Sequence, residues 1–426
     1  MGIKFRLIVM NFLQYAIWGA YLTSMGSYLV SADLSSHIGI FYAMQGIVSI
    51  FMPAVIGIVA DRWIPAQRLL GMCHLLAAVF IGAAGYYAHS AGAGVQFGPL
   101  FALYSFSVAF YMPTIALSNS VAYSVLESKG FDTVKAFPPI RVWGTVGFIC
   151  SMLVCDAAGF QTTYMQFVQC AVLGLTLAVY AMTLPNCPVS RGSEKKSVVE
   201  ALGLRAFALF KQKKMALFFI FSMLLGVSLQ ITNGFANPFI TSFRDVPEFA
   251  STFGANHANA LISLSQVSET LCILLIPFCL KRFGIKNVML MAMFAWVLRF
   301  GLFGLGNPGG GVWMFILSMI VYGVAFDFFN ISGSLFVNNE TDTAIRSSAQ
   351  GLFMIMTNGI GATIGTLGAQ AVVDRFVYSQ SSVEAMTAGW SASWLIFAGY
   401  ALCVAIVFAL VFKYKHNPEA IGEIGH

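Results

Sequence analysis

The sequence predicts an all-α membrane protein with twelve transmembrane helices arranged as two bundles of six. Three observations lead to this fold class. The 426 residues are 58% hydrophobic and only 9% charged, with a mean hydropathy of +0.79. Twelve apolar stretches are long enough to cross a bilayer, which takes about 20 residues at a rise of about 1.5 Å each. One long polar segment divides these stretches six and six.

Each apolar stretch is expected to be a helix, because backbone polar groups in hydrocarbon must find hydrogen-bond partners within their own segment. The first six predicted helices cover 6–30, 36–60, 68–90, 97–124, 138–159 and 163–184. The second six cover 215–239, 258–280, 284–305, 311–336, 347–372 and 391–412. The N-terminal apolar run has no obvious small-residue cleavage site, so we expect a retained helix and not a signal peptide.

The basic residues indicate a membrane topology and not a nucleic-acid-binding surface. With twelve spans and a cytoplasmic N-terminus, 19 of the 23 Lys and Arg residues fall on the cytoplasmic face, as the positive-inside rule expects. Of the other four, Arg141 is expected within a helix, and Arg244, Arg299 and Arg375 towards the opposite face. We therefore expect both termini in the cytoplasm, the lipid bilayer as surroundings and no nucleic-acid partner.

The polar segment 185–214 is expected to be a cytoplasmic loop between an N-terminal bundle (1–184) and a C-terminal bundle (215–426) that ends in a short cytoplasmic tail. It carries seven basic and two acidic residues. A basic loop midway between two sets of six helices is typical of transporters built from two parallel repeats. Within the loop, EALGLRAFALF is predicted to form a short amphipathic helix on the membrane surface.

No pattern in the chain indicates a catalytic, metal or cofactor site. The eight cysteines fall mostly inside predicted helices and, like the six histidines, lack metal-ligand spacing; a buried free Cys behaves as a small hydrophobic residue. There is no nucleophile motif and no loop large enough to build an active site. We expect no enzyme activity, no cofactor, no metal and no obligatory protein partner, with a polytopic membrane enzyme as the less favoured alternative.

The segment between the second and third predicted helices contains a recognisable pattern. It reads Gly57-Ile58-Val59-Ala60-Asp61-Arg62, which resembles the G-x-x-x-D-R/K signature of the major facilitator superfamily at its expected place. In that interpretation Gly57 permits close helix approach, while Asp61 and Arg62 form part of a cytoplasmic gating motif. The matching loop of the second half, 281–286, keeps the basic character but lacks the Asp. A plain solvated turn is the alternative.

The fifth predicted helix carries Arg141, Thr145 and Phe148 at i, i+4 and i+7, which places all three on one face. An ionisable side chain within a membrane helix by default marks a site or a pathway. A guanidinium offers five donors in a fixed fork, so it suits a ligand rich in oxygen acceptors. Alternatively, Arg141 lies at the cytoplasmic end of the helix and snorkels there after a turn at 137–139.

Three helices of the second half carry polar and aromatic residues at helical spacing. These are Gln230 and Asn233 in the seventh helix, Gln266 and Glu269 in the eighth, and Tyr322, Phe326 and Asp327 in the tenth. Amides donate and accept hydrogen bonds, and aromatic faces stack on planar rings, so together they suit a neutral hydroxylated ligand with a heteroaromatic base. The alternative for the amides is hydrogen bonding between helices.

Glu269 and Asp327 are the only two acids expected deep within the membrane. A carboxyl group at that depth must be paired or protonated. One that gains a proton on one side and releases it on the other can couple transport to a proton gradient. A permanent ion pair, for example with Arg141, is the competing interpretation, and the sequence leaves open which acid carries the proton.

Long segments across the chain resemble the bacterial nucleoside:proton symporters of the major facilitator superfamily, the group of the general nucleoside permease and the xanthosine permease. The similarity is densest in FLQYAIWGAYLTSMGSYL, FPPIRVWGTVGF, ALFKQKKMALFFIFSMLLGVSLQITN, SLSQVSETL, GIKNVMLMAMFAWVLRF, SMIVYGVAFDFFNISGSLFV and NGIGATIG. The resemblance implies nucleoside recognition by Arg141, Thr145, Phe148, Gln230, Asn233, Gln266, Glu269, Tyr322 and Phe326. It implies proton coupling by Asp327, with Glu269 as the second candidate.

The expected function is therefore proton-coupled import of nucleosides across the bacterial inner membrane by alternating access, with the two bundles rocking about a site near the midplane. A proton-coupled sugar or polyol permease is the alternative of the same class, because amides and an acid also suit bare hydroxyl groups. The preference among purine, pyrimidine and xanthosine substrates stays open.

Overall fold

The computed structural model describes residues 2–187 and 204–415, and all regular secondary structure in these two ranges is helical. The chain divides into two compact units, Met1–Leu202 and Gly203–His426. The division falls within the basic segment 185–214. Three basic residues of that segment, Arg191, Lys195 and Lys196, lie outside the described residues.

The described part of the first unit contains seven α-helices. They are α1 (Ile3–Gly19), α2 (Met25–Ser31), α3 (Ile38–Arg62), α4 (Ala66–Ala91), α5 (Phe97–Ser128), α6 (Thr133–Ala157) and α7 (Met165–Met182). α1 packs mainly on α6 and also on α7, while α4 packs on both α5 and α7, and α3 packs on α5. The first predicted helix, 6–30, is interrupted, because α1 ends at Gly19 and a turn precedes α2.

Two glycines bring α1 and α6 into backbone contact. A Cβ atom at Gly19 would overlap the carbonyl group of Phe148, and a Cβ atom at Gly147 would overlap the carbonyl group of Phe12. Any larger residue at either position would push the helices apart, since the overlapping partner is backbone and cannot rotate away. The pair of contacts fixes Phe148, a predicted site residue, beside α1.

The second unit contains nine α-helices within residues 204–415. They are α8 (Lys213–Leu229), α9 (Ile231–Ser242), α10 (Phe253–Asn256), α11 (Ala258–Cys272), α12 (Ile276–Leu305), α13 (Val312–Glu340), α14 (Thr343–Met354), α15 (Ala362–Val373) and α16 (Val383–Val411). A π-helical segment, Ile355–Gly361, joins α14 to α15 and packs on α8. α12 packs on α13 and α16, and α11 packs on α13.

The predicted surface helix 200–210 is described only from residue 204 onwards. Leu204–Lys211 forms a 3-10 helix that buries Ala206 and Leu209 and exposes Arg205 and Lys211. Buried and exposed positions recur every three residues, which matches the three residues per turn of that helix type. The described part of the segment is therefore amphipathic.

Helix boundaries in the second unit differ from the prediction at two places. Gln230 lies between α8 and α9, so the predicted helix 215–239 is interrupted at this residue. The predicted helices 258–280 and 284–305 follow each other almost without a loop. Gly284 separates them inside α12 with a φ of 80°, a left-handed conformation that glycine adopts without steric cost.

Ten helical stretches of the described chain are long and apolar enough to cross a membrane. One of them, Ala258–Leu305, is 48 residues long and contains two of the predicted spans. The first predicted span is not among the ten, because α1 has only 17 residues and α2 only seven. All twelve predicted stretches thus lie on helical segments.

Candidate functional site

Arg141 lies inside α6 and not behind a turn. Pro138 and Pro139 are both part of the helix, so the alternative that placed a turn at 137–139 is wrong. Proline is tolerated in membrane helices because neighbouring groups satisfy the freed backbone carbonyl. The Arg141 guanidinium carbon lies 3.9 Å from the centroid of the Tyr15 ring on α1. A cation–π contact thus stabilises the half-buried charge.

Thr145 and Phe148 follow Arg141 on the same helix. Thr145 is half-buried, and Phe148 is buried and meets Trp18 edge to face, with ring centroids 6.3 Å apart. The indole N–H of Trp18 donates to Gln45 at 3.3 Å, and the Gln45 amide donates to the Tyr104 hydroxyl at 2.9 Å. A chain of hydrogen bonds therefore fixes the aromatic surface around Phe148.

The first unit also holds a buried polar network that was not predicted from the sequence. His74 on α4 is fully buried, and its Nε2 lies 2.7 Å from Oε1 of Gln14 on α1. Gln14 in turn donates to the Thr114 hydroxyl at 2.8 Å, and the Tyr111 hydroxyl donates to the Gln14 carbonyl at 2.7 Å. The network links α1, α4 and α5. Its only sequence signal was a single ionisable residue within an apolar stretch.

Gln230 and Asn233 form a hydrogen-bonded pair in the second unit. The Asn233 side-chain amide donates to Oε1 of Gln230 at 2.6 Å, and both side chains are half-buried. The bond confirms that the two residues share a face, as their spacing predicts. It also orients each amide, because a bound Gln230 Oε1 determines where its NH2 group points.

Gln266 and Glu269 are half-buried on α11, which is tied to α13 by the residues beside them. The Ser268 hydroxyl donates to a backbone carbonyl of α13. Glu269 lies near enough to Asp327 on α13 for the two carboxyl groups to interact electrostatically. The structure therefore brings Glu269 of α11 close to Asp327 of α13.

Tyr322 and Phe326 form an aromatic pair on α13. Their rings are stacked with centroids 5.6 Å apart and an interplanar angle of 15°. Tyr322 is buried, whereas Phe326 is partly exposed. The next residue, Asp327, is buried, and its Oδ2 has no hydrogen-bond partner within the described residues. A carboxyl oxygen in such a position can hold a proton.

Arg299, which was expected towards the opposite face of the membrane, is packed inside the second unit. It is buried in the second unit, 2% exposed, with its guanidinium carbon 4.6 Å from the Tyr322 ring centroid. Its Nη1 donates to the Ser318 carbonyl at 2.8 Å, and the Ser318 hydroxyl donates back to the Arg299 carbonyl at 3.0 Å. A planar guanidinium can be accommodated in this way by a carbonyl and an aromatic face.

The segment that resembles the major facilitator signature lies at the end of α3. Asp61 and Arg62 are exposed there. A Cβ atom at Gly57 would meet no described atom within 4 Å. Within the described part of the first unit, no other helix approaches Gly57 closely, and the gating role of the motif stays a prediction.

Comparison with known proteins decides the family. The family described as nucleoside H+ symporter matches residues 1–417. The chain belongs to this family. Xanthosine permease of Escherichia coli (strain K12) is 48% identical over 424 residues, which cover 99% of this chain and 98% of that protein. Nucleoside permease NupG of the same organism is 46% identical over 432 residues, which cover both chains completely.

Solved structures support the same assignment. The crystal structure of nucleoside transporter NupG matches with a TM-score of 0.89 at 46% identity, covering 97% of this chain and 100% of that chain. The D-xylose-proton symporter matches with a TM-score of 0.66 at 14% identity, covering 99% of this chain and 100% of that chain, and shares the fold alone. The predicted fold class, that of a twelve-helix major facilitator protein, is confirmed. The predicted family and its proton-coupled nucleoside transport are confirmed with it.

Proposed function

We propose that this symporter imports nucleosides together with protons across the bacterial inner membrane by alternating access. The observation that carries the proposal is the stacked pair Tyr322 and Phe326, followed directly by the buried acid Asp327 on the same helix. A planar surface for a base thus adjoins a group that can hold a proton. Family membership and the permeases named above support the same assignment.

In the second unit we assign the base of the nucleoside to the aromatic pair. Phe326 is partly exposed and backed by Tyr322, so a ligand ring can stack on its outer face. The amides of Gln230, Asn233 and Gln266 supply donors and acceptors for the polar edges of a nucleoside. The hydrogen bond between Asn233 and Gln230 holds these two amides in fixed orientations before the ligand binds. This reduces the conformational entropy lost on binding.

In the first unit we assign Arg141, Thr145 and Phe148 to nucleoside recognition as well. Arg141 is half-buried and held against Tyr15, so its remaining donors are presented in a defined direction. Donors in a fixed fork suit the oxygen acceptors of ribose and base. Each unit thereby contributes side chains to nucleoside recognition.

We assign proton coupling to Asp327, with Glu269 in a second role. Asp327 is buried with one carboxyl oxygen lacking a described partner, and its charge interacts with that of Glu269. Proton binding at Asp327 then changes the electrostatic field at Glu269, which we place among the nucleoside-binding residues. Such an interaction links the proton to the substrate.

The remaining assignments concern the setting of the protein. It is a multi-pass inner-membrane protein, and we propose that both termini are cytoplasmic, as the distribution of Lys and Arg predicts. Its partners are then nucleoside, protons and the surrounding bilayer. We further propose that the nucleoside is released chemically unchanged and that the protein is not an enzyme.

Uptake of radiolabelled uridine into membrane vesicles with an imposed pH gradient tests the proposal. Uptake should follow the gradient, collapse with a protonophore and be blocked by adenosine but not by hexoses. Equal competition by hexoses would indicate a sugar or polyol permease instead. Chemical conversion of the recovered uridine by the purified protein would indicate an enzyme.

A further inference from the structure

A groove of about 610 Å³ runs along the outer surface of the second unit between α12 and α13. From α12, its lining residues recur every three or four positions on one face, among them Asn287, Leu290, Phe294 and Leu298. Val321 and Val324 line it from α13. Phe294 and Leu298 are 44% and 48% exposed, so the groove opens towards the surroundings of a membrane protein.

We propose that this groove binds an acyl chain of an anionic phospholipid, with the lipid phosphate held at Lys281 and Arg282. The proposal concerns the lipid environment and does not depend on the substrate assignment above. The occupant follows from two features: the length of the apolar groove, and the positive charge at one of its ends.

The length of the groove matches one leaflet of a bilayer. From Asn287 to Leu298 the helix rises by about 16 Å at about 1.5 Å per residue. One leaflet occupies about 15 Å, half of a hydrocarbon core of about 30 Å. Apart from Asn287, the named lining residues are apolar, so a chain that lies along the helix has an apolar surface over the depth of a leaflet.

Positive charge lies at the Asn287 end of the groove. Lys281 and Arg282 are exposed and directly precede Phe283, which also lines the groove. The Arg282 guanidinium carbon lies 5.8 Å from the centroid of the Phe283 ring, so this charge is next to the groove. Lys286 is not assigned to the lipid phosphate, because its Nζ donates to the Ala409 carbonyl at 3.1 Å.

These charges favour an anionic lipid over a zwitterionic one. A guanidinium binds phosphate oxygens with two parallel hydrogen bonds, and Lys or Arg near the membrane surface attracts anionic headgroups. The left-handed Gly284 separates the helix segment that carries Lys281 and Arg282 from the segment that lines most of the groove. Phosphate and acyl chain would therefore bind on opposite sides of this break.

Native mass spectrometry of the purified protein, equilibrated with phosphatidylglycerol or phosphatidylcholine of identical chains, tests the proposal. The unmodified protein should retain phosphatidylglycerol in preference. Replacing both charges, Lys281→Ala with Arg282→Ala, should lower bound phosphatidylglycerol about tenfold to thirtyfold. The matched control, Lys129→Ala with Lys135→Ala, removes two exposed charges from the first unit and should leave retention unchanged.

A second pair of variants tests the groove itself. Leu290→Trp should block it midway and lower retention of both lipids, whereas Leu305→Trp, at a 64% exposed position of the same helix outside the groove lining, should not. Circular dichroism spectra of all four variants should match that of the unmodified protein, which shows that the variants are folded. Equal retention of the two lipids by the unmodified protein overturns the proposal. The proposal is also overturned if a variant and its control lose the same amount of bound lipid, or if Leu290→Trp retains as much lipid as the unmodified protein.

Discussion

Replacing Phe326 by Leu tests whether the aromatic pair recognises the base. The variant keeps apolar bulk but removes the ring that stacks on Tyr322 at 5.6 Å and 15°. Stacking between aromatic rings contributes about 0.5–1.5 kcal/mol beyond the area buried. Nucleoside binding should therefore weaken by about twofold to twelvefold. Ribose, which has no base to stack, should lose much less.

Displacement of labelled uridine from the purified protein, by adenosine and by ribose in turn, measures both effects. Phe278→Leu makes the same chemical change at a 62% exposed position of the second unit and should alter neither affinity. If Phe326→Leu weakens ribose and adenosine by the same factor, the ring only shapes the cavity. The base must then be recognised elsewhere, with Phe148 and Tyr322 as the next candidates.

Four further substitutions test other parts of the molecule. Asp327→Asn should abolish accumulation driven by an imposed pH gradient while nucleoside exchange persists; continued accumulation would move the proton assignment to Glu269. Gln230→Ala and Gln266→Ala should each weaken uridine binding by about 1–3 kcal/mol, the cost of an unpaired buried partner. If calorimetry finds the affinity of both variants unchanged, these amides serve in hydrogen bonding between helices and not in binding. Gly147→Ala should destabilise the first unit by about 1–3 kcal/mol through overpacking and lower the thermal unfolding midpoint; a midpoint equal to that of the unmodified protein would mean that the backbone contact there tolerates a methyl group.

The transmembrane segments could be predicted because hydropathy is a local property of the chain. The composition of each apolar stretch alone predicts that it lies in lipid, and a segment in lipid must form a helix. The interruptions after Gly19 and at Gln230 were not predicted, because scattered Gly, Ser, Thr and amide residues also occur within continuous membrane helices. Breaks of this kind depend on what the neighbouring helices contact.

Among the candidate site residues, contacts within one helical segment could be predicted from the sequence, whereas contacts between helices could not. The pairs Gln230 with Asn233 and Tyr322 with Phe326 follow from spacing along one chain segment, and the structure brings each pair into contact. Arg299 could not be placed from sequence, because its partners come from a different helix. The buried network of His74 was missed for the same reason.

The backbone contacts of Gly19 and Gly147 have a mechanical consequence. Two helices that touch through their main chains at two places, one near each glycine, cannot slide or rotate past each other without breaking both contacts. α1 and α6 are therefore expected to move as one rigid body during transport. Thr145 and Phe148 on α6 then move together with Tyr15 on α1. Whatever bending the first unit undergoes must be taken up by its other helices.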